Sequence, residues 1–224
     1  MNPIIIALDV DSADEARRIV EKISGATNFY KVGMELYAAA GMEFVRELKG
    51  RGFEVFLDMK FYDIGETVKR AVAQVAKAGV DLLTVHGSKE VMRAAVEGRA
   101  EASLRLLGVT VLTSFDRSDL ADLGYPCTVE DLVALRVKNA REAGVDGVVC
   151  SPLELPRVGP GLLTVVPGVR SAGASTQDQK RVATPADAMR DGASYLVIGR
   201  QVTRAADPKG EVEKILNEIG GVTA

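Results

Sequence analysis

Short apolar runs and amphipathic stretches alternate along this chain with a regular beat. Ile4-Ile5-Ile6-Ala7-Leu8 is continuously apolar and closes on Asp9, the pattern of a strand buried on both faces. Ser12 then caps a helix, with Glu15 three residues on and Ala16, Ile19, Val20 and Ile23 at helical spacing. The pattern repeats. Strands are expected at 29–33, 53–57, 82–86, 106–112, 147–150, 163–166 and 195–198, each closing on polar residues. Helices are expected at 36–48, broken around Gly41, and at 68–78, 91–102, 129–143, 184–190 and 208–219. Residues 116–128 read as a polar connection, and 171–181, which have no periodicity, as a mobile loop. Ala78-Gly79-Val80-Asp81 recurs as Ala143-Gly144-Val145-Asp146, each time just before a strand.

Strict strand–helix alternation means parallel pairing, and eight such units fit one (β/α)8 barrel domain spanning residues 1–224. A doubly wound open sheet would place a glycine-rich phosphate loop after the first strand, where Asp9-Val10-Asp11-Ser12 stands instead.

Composition narrows the function. Hydrophobic residues make up 47% and charged residues 26%, enough for a sizeable core in a globular chain. A net charge of -3 gives no general attraction for nucleic acid or an anionic membrane. The apolar run at 4–8 is too short for a membrane span or a signal sequence, so a cytoplasmic protein is expected. Cys127 and Cys150 have no metal-ligand or redox spacing and read as idle thiols.

Chemistry concentrates at strand ends. In a barrel the active site lies at the carboxyl ends of the strands, which here carry Asp9, Lys31, Asp58 with Lys60, His86, Thr113, Ser151, Arg170 and Arg200. Asp58, Lys60 and Asp63 alone fit a structural ion pair as well as a site; the recurrence of polar residues at one end favours a site. Gly168-Val169-Arg170 and Gly199-Arg200 close strands seven and eight, the usual phosphate position of such barrels. A lysine held protonated between acids is a proton donor, and a fixed carboxylate repels a bound anion. Lys31, Asp58, Lys60 and Asp63 together suit replacement of a substrate carboxylate by a proton. His86, the single histidine, reads as a hydrogen-bonded strand-end residue rather than a ligand.

Asp58-Met59-Lys60-Phe61-Tyr62-Asp63-Ile64 with Thr67 resembles the Asp-x-Lys-x-x-Asp signature of orotidine 5'-monophosphate decarboxylases of the bacterial type. Ala7-Leu8-Asp9, Lys31-Val32-Gly33, Thr84-Val85-His86, Val111-Leu112-Thr113-Ser114, Pro167-Gly168-Val169-Arg170 and Val197-Ile198-Gly199-Arg200 match in order. The resemblance implies a cofactor-free, metal-free enzyme that makes uridine monophosphate, the last step of de novo pyrimidine nucleotide synthesis. By it, Lys60 protonates the pyrimidine carbon, Asp58 repels the departing carboxylate, and Lys31 holds the charge network and touches the ribose. Asp9 binds a ribose hydroxyl, Thr113 the pyrimidine edge, and Arg170, Gln179, Gly199 and Arg200 the phosphate, with Gln179 on a lid. It also implies a homodimer in which Asp63 and Thr67, with Ile64 beside them, serve the partner's site. Tyr62, Gly65 and Glu66 depart from the His, Pro and Asn usual in the family. A metal-dependent sugar-phosphate enzyme of the same superfamily would carry an acidic ligand at the end of strand two, where this chain has Lys31. A non-catalytic nucleotide binder would be expected to have lost part of the charge set.

Overall fold

Alternation within each strand sorts its side chains into two cores. In the computed structural model, which describes residues 2–171 and 183–221, β1 (Ile4–Ala7) turns Ile5 and Ala7 into a central lumen and Ile4 and Ile6 outward under helices. The strands that follow are β2 (Phe29–Gly33), β3 (Glu54–Phe61), β4 (Leu82–His86), β5 (Arg105–Val109), β6 (Gly147–Val149), β7 (Leu163–Pro167) and β8 (Tyr195–Ile198). They pair in parallel in chain order, and β8 closes on β1. The lumen is plugged by Ile5, Phe29, Phe56, Leu82, Leu107, Val165 and Tyr195, with the Phe29 and Tyr195 rings edge to face at 5.6 Å.

The larger core lies between barrel and helices. The helices are α1 (Ala13–Ile23), α2 (Met34–Gly50), α3 (Gly65–Lys77), α4 (Lys89–Arg99), α5 (Arg117–Asp122), α6 (Val129–Ala143), α7 (Leu155–Val158), α8 (Pro185–Arg190), α9 (Arg200–Thr203) and α10 (Pro208–Gly220). Each long helix buries one stripe, as α1 does with Ala16, Ile19, Val20 and Ile23. The barrel order and the helix alternation are those of a (β/α)8 barrel.

The repeated Ala-Gly-Val-Asp turns have a structural reason. Asp81, at the head of β4, accepts from the Val55 amide of β3 at 2.7 Å and from Lys49 at 2.6 Å. Asp146, at the head of β6, accepts from the Leu106 amide of β5 at 2.7 Å and pairs with Arg99. Thr27 before β2 donates to Ile4 of β1 at 2.9 Å, and Ser194 before β8 accepts from Thr164 of β7 at 3.1 Å. One polar side chain therefore ties each even strand to the odd strand before it, at the end opposite the cavity.

Several boundaries differ from the sequence reading. β3 continues through Phe61 instead of ending at Leu57. β5 stops at Val109, so Thr113 stands in a loop: Thr110 turns its hydroxyl to the Val149 carbonyl and to Glu154. The polar connection contains α5, nucleated by reciprocal capping between Asp116 and Asp119 and anchored by buried Leu120. The 3-10 turn Pro152–Glu154, α7 and α9 are too short to leave a periodicity in the sequence. The break at Gly41 is present, at φ 61 inside α2.

Candidate active site

Two residues beyond the lumen plug, the inward positions change character. Lys31 follows Phe29, Asp58 follows Phe56, and Asp9 follows Ala7, so three apolar columns each end in a charge. They border a cavity of about 600 Å³ at the carboxyl ends of the strands, floored by Ala7, Phe56, Val109, Val149 and Val197. Lys60, Thr113, Gly168, Arg170, Gly199 and Arg200 are also part of its wall.

The charges form a line of alternating sign. Asp9 lies 2.7 Å from the Lys31 ammonium, which lies 3.6 Å from Asp58 Oδ2, while Lys60 Nζ donates to Asp58 Oδ1 at 2.9 Å. Side-chain exposure is 9% for Lys31 and 16% for Asp58, so both charges are held by each other rather than by water. Burial alone would push the Asp58 carboxyl up, but Lys31 and Lys60, with hydrogen bonds from Lys60 and Thr84, hold it below the usual carboxylate value. Burial likewise pulls the Lys31 ammonium down, and Asp58 and Asp9 more than reverse it.

Asp58 and Lys60 do not meet by plain strand alternation. β3 and β4 align at Leu57 with Leu83 and again at Phe61 with Val85, leaving Asp58, Met59 and Lys60 opposite Thr84 alone. Lys60 adopts φ 49, left-handed backbone that a lysine occupies only when its surroundings hold it there. The Thr84 hydroxyl accepts from the Lys60 amide at 2.9 Å and donates to Asp58 Oδ1 at 2.9 Å.

Gly33 makes room for the other pair. A Cβ there would stand 2.8 Å from Asp9 Oδ1 and 2.9 Å from Lys31 Nζ. At φ -94 its backbone is open to any residue, so the constraint is space.

Beyond the ends of β7 and β8, Arg170 and Arg200 add two further positive charges to the cavity wall. Arg170 is buried, and its Nη1 donates to the Val169 carbonyl at 2.7 Å. Arg200 opens α9 directly after Gly199. Gln179 lies outside the described residues. Before that segment, the Ser171 hydroxyl is held by Glu218 at 2.8 Å and by Gln201 at 3.0 Å.

Asp63, Ile64 and Thr67 do not border this cavity. The Asp63 carboxylate accepts from the Ile64 amide at 2.7 Å, and residues Tyr62 and Ile64 stand 70% and 77% exposed. Tyr62 lies on the His86 ring with centroids 4.2 Å apart. His86 also lies outside the cavity wall: the Ser88 amide donates to its Nδ1 at 3.2 Å and the Arg136 guanidinium stands 3.2 Å from Nε2. Burial, and secondarily Arg136, pushes its pKa down to about 4. Ser151 is fully buried as the cap of the 3-10 turn.

A comparison with known families matches residues 2–215 to the orotidine 5'-phosphate decarboxylase / HUMPS family. The orotidine 5'-phosphate decarboxylase of Caulobacter sp. (strain K31) is 50% identical over 223 residues, covering 98% of this chain and 97% of that protein. That of Rhodopseudomonas palustris (strain BisA53) is 46% identical, over 98% and 95%. The chain belongs to the orotidine 5'-phosphate decarboxylase / HUMPS family. A crystal structure of orotidine 5'-phosphate decarboxylase from Lactobacillus acidophilus superposes with a TM-score of 0.84 at 34% identity, covering 98% of this chain and 99% of that one. An uncharacterized conserved protein from Geobacillus kaustophilus superposes at 0.83 with 37% identity, over 97% and 100%.

Within this decarboxylase family fold, sequence reasoning missed several neighbours of the charges. Thr84 was legible only as a polar residue inside the apolar run Leu82-Leu83-Thr84-Val85. Glu35, Thr203 and Arg204 at the cavity rim left no signal, since charged residues at helix ends are ordinary surface. Among the described residues no group of three or more His, Cys, Asp or Glu side chains is placed to hold a metal ion, and no helix is long and apolar enough to cross a membrane.

Proposed function

We propose that this chain converts orotidine 5'-monophosphate to uridine 5'-monophosphate and carbon dioxide, as the final step of pyrimidine nucleotide synthesis in the cytoplasm. The observation that carries the reading is the alternating line Asp9–Lys31–Asp58–Lys60 along a cavity that Arg170 and Arg200 also line.

Phosphate bound by Arg170, Arg200, Gly199 and Gln179 would lay the pyrimidine over the apolar floor, with its carboxylate against Asp58. Asp58 stays ionised there, because two ammonium groups face it, and so repels the substrate carboxylate. The carbon–carbon bond breaks, carbon dioxide leaves, and the electron pair left on the ring carbon takes a proton from Lys60. Lys60 regains that proton from solvent. Lys31 and Asp9 would hold the ribose and Thr113 the pyrimidine edge. Binding energy from the remote phosphate is used at the reacting carbon.

The same reading has no cofactor. The Lys31 ammonium at the end of β2 would repel a divalent cation at the position where a metal-dependent relative needs an acid. Asp63, Ile64 and Thr67 are proposed to serve a second copy of the chain. Their exposed placement, away from their own cavity, supports that assignment. In that case, mixing the inactive Asp63→Ala and Lys60→Ala proteins restores turnover.

The deciding experiment follows loss of orotidine monophosphate absorbance with excess chelator, beside Lys60→Ala. Turnover by the wild type and none by the variant is the expected result. Tight uridine monophosphate binding without turnover would instead identify a nucleotide-binding barrel that has lost its chemistry.

A further inference from the structure

Thr84 is fully buried in β4, does not border the cavity, and carries no role in the chemistry described above. It is also the one β4 residue facing the three-residue bulge Asp58-Met59-Lys60. In an unbroken parallel ladder the Lys60 amide would point toward β2, as the Glu54 amide does, past the last paired residue Gly33. The bulge breaks that ladder, and a half-buried amide still needs an acceptor. Thr84 Oγ1 supplies it at 2.9 Å. A hydroxyl has one proton to give, and this one goes to Asp58 Oδ1 at 2.9 Å, the same oxygen that accepts from Lys60 Nζ.

We infer that Thr84 is a positioning residue for the proposed decarboxylation: its hydroxyl fastens the bulge that sets the Asp58 carboxylate against the Lys60 ammonium. The inference rests on the decarboxylase reading, in which those two groups act. One end of the hydroxyl fixes the carboxylate that faces the departing group. The other tethers the left-handed backbone of the proton donor. Without it, a buried carboxylate loses one of its donors and Lys60 can relax from φ 49 toward ordinary strand geometry, carrying its ammonium away from the reacting carbon. Misplacement by about 1 Å costs such chemistry on the order of a hundredfold.

The test compares Thr84→Val with Thr84→Ser. Valine has the shape of threonine and suits a buried strand but lacks the hydroxyl; serine keeps the hydroxyl and loses the methyl. Thr84→Val is expected to lower kcat by about tenfold or more with KM within about threefold, and Thr84→Ser to stay within about threefold of wild type in both. Amide exchange at Lys60 is expected to quicken about tenfold in Thr84→Val alone, a readout independent of turnover. A kcat for Thr84→Val within about twofold of wild type would overturn the inference, as would equal losses in the two variants. An unfolded Thr84→Val would overturn it too, by showing the hydroxyl to be needed for folding. If the wild type itself shows no turnover, the decarboxylase reading fails, and Lys60 exchange still reports whether Thr84 holds the bulge.

Discussion

Lys60 Nζ and Asp58 Oδ1 stand 2.9 Å apart across a bulge in their own strand, where plain alternation would simply have set them side by side. The carboxylate is crowded by design of the backbone, and its removal should be felt in chemistry rather than in binding. Asp58→Asn is expected to lower kcat by about a hundredfold or more while KM stays equal or falls, because repulsion of the bound carboxylate is lost. Steady-state kinetics decide it. A rise in KM with kcat intact would make Asp58 a binding group instead.

Gly33→Ala should leave a folded protein. The atoms its Cβ would meet are the ends of the Asp9 and Lys31 side chains, not backbone. Those ends must move, and the pair they form is part of the line of charges. A fall in kcat of about tenfold, with the melting temperature nearly unchanged, is expected. Gly98→Ala is the contrasting control: its Cβ would lie 2.2 Å from the Lys69 carbonyl oxygen, so stability should drop by about 1–3 kcal/mol.

Acid stability has a single dominant group above the carboxylate range. His86 is held near 4 in the folded chain, against an ordinary value of 6.5, so the unfolded chain binds more protons between those values. Stability is therefore lost as pH falls from 6.5 toward 4, and a His86→Asn variant should lack that slope. Asp58 is lowered from 3.8, so its contribution is present above 3.8 and lost as pH falls further. Lys31 is raised from 10.5, so its contribution is lost only as pH rises beyond that value. Since His86 is the only histidine, its NMR titration is unambiguous. A midpoint near 6.5 would refute the assignment.

The strand ties at the opposite end of the barrel should affect stability without affecting turnover. Asp146→Ala removes the acceptor of the buried Leu106 amide and the partner of Arg99, and is expected to cost about 1–3 kcal/mol in denaturant unfolding. KM and kcat of the folded fraction should match the wild type.

Much of this architecture was legible because each physical cause is local. Apolar runs closed by polar residues marked the strands, and the end at which those residues recur is the end at which the cavity lies. What the sequence hid was non-local. No spacing shows that three β3 residues face one residue of β4, because a bulge is a relation between strands. Asp9 looked like an isolated strand-end acid, and its pairing with Lys31 depends on the register of β1 with β2. The repeated Ala-Gly-Val-Asp turn was visible as text, but its purpose, tying a strand to its predecessor, needed the barrel.

The left-handed backbone at Lys60 has an evolutionary consequence. At φ 49 a residue with a side chain costs about 1–2 kcal/mol more than glycine. Selection for a robust fold alone would thus drift toward glycine here, and Lys60→Gly should outlast Lys60→Ala on heating although both are inert. If the proposed proton transfer is what retains the lysine, a lineage that no longer needs the reaction is expected to replace it with glycine.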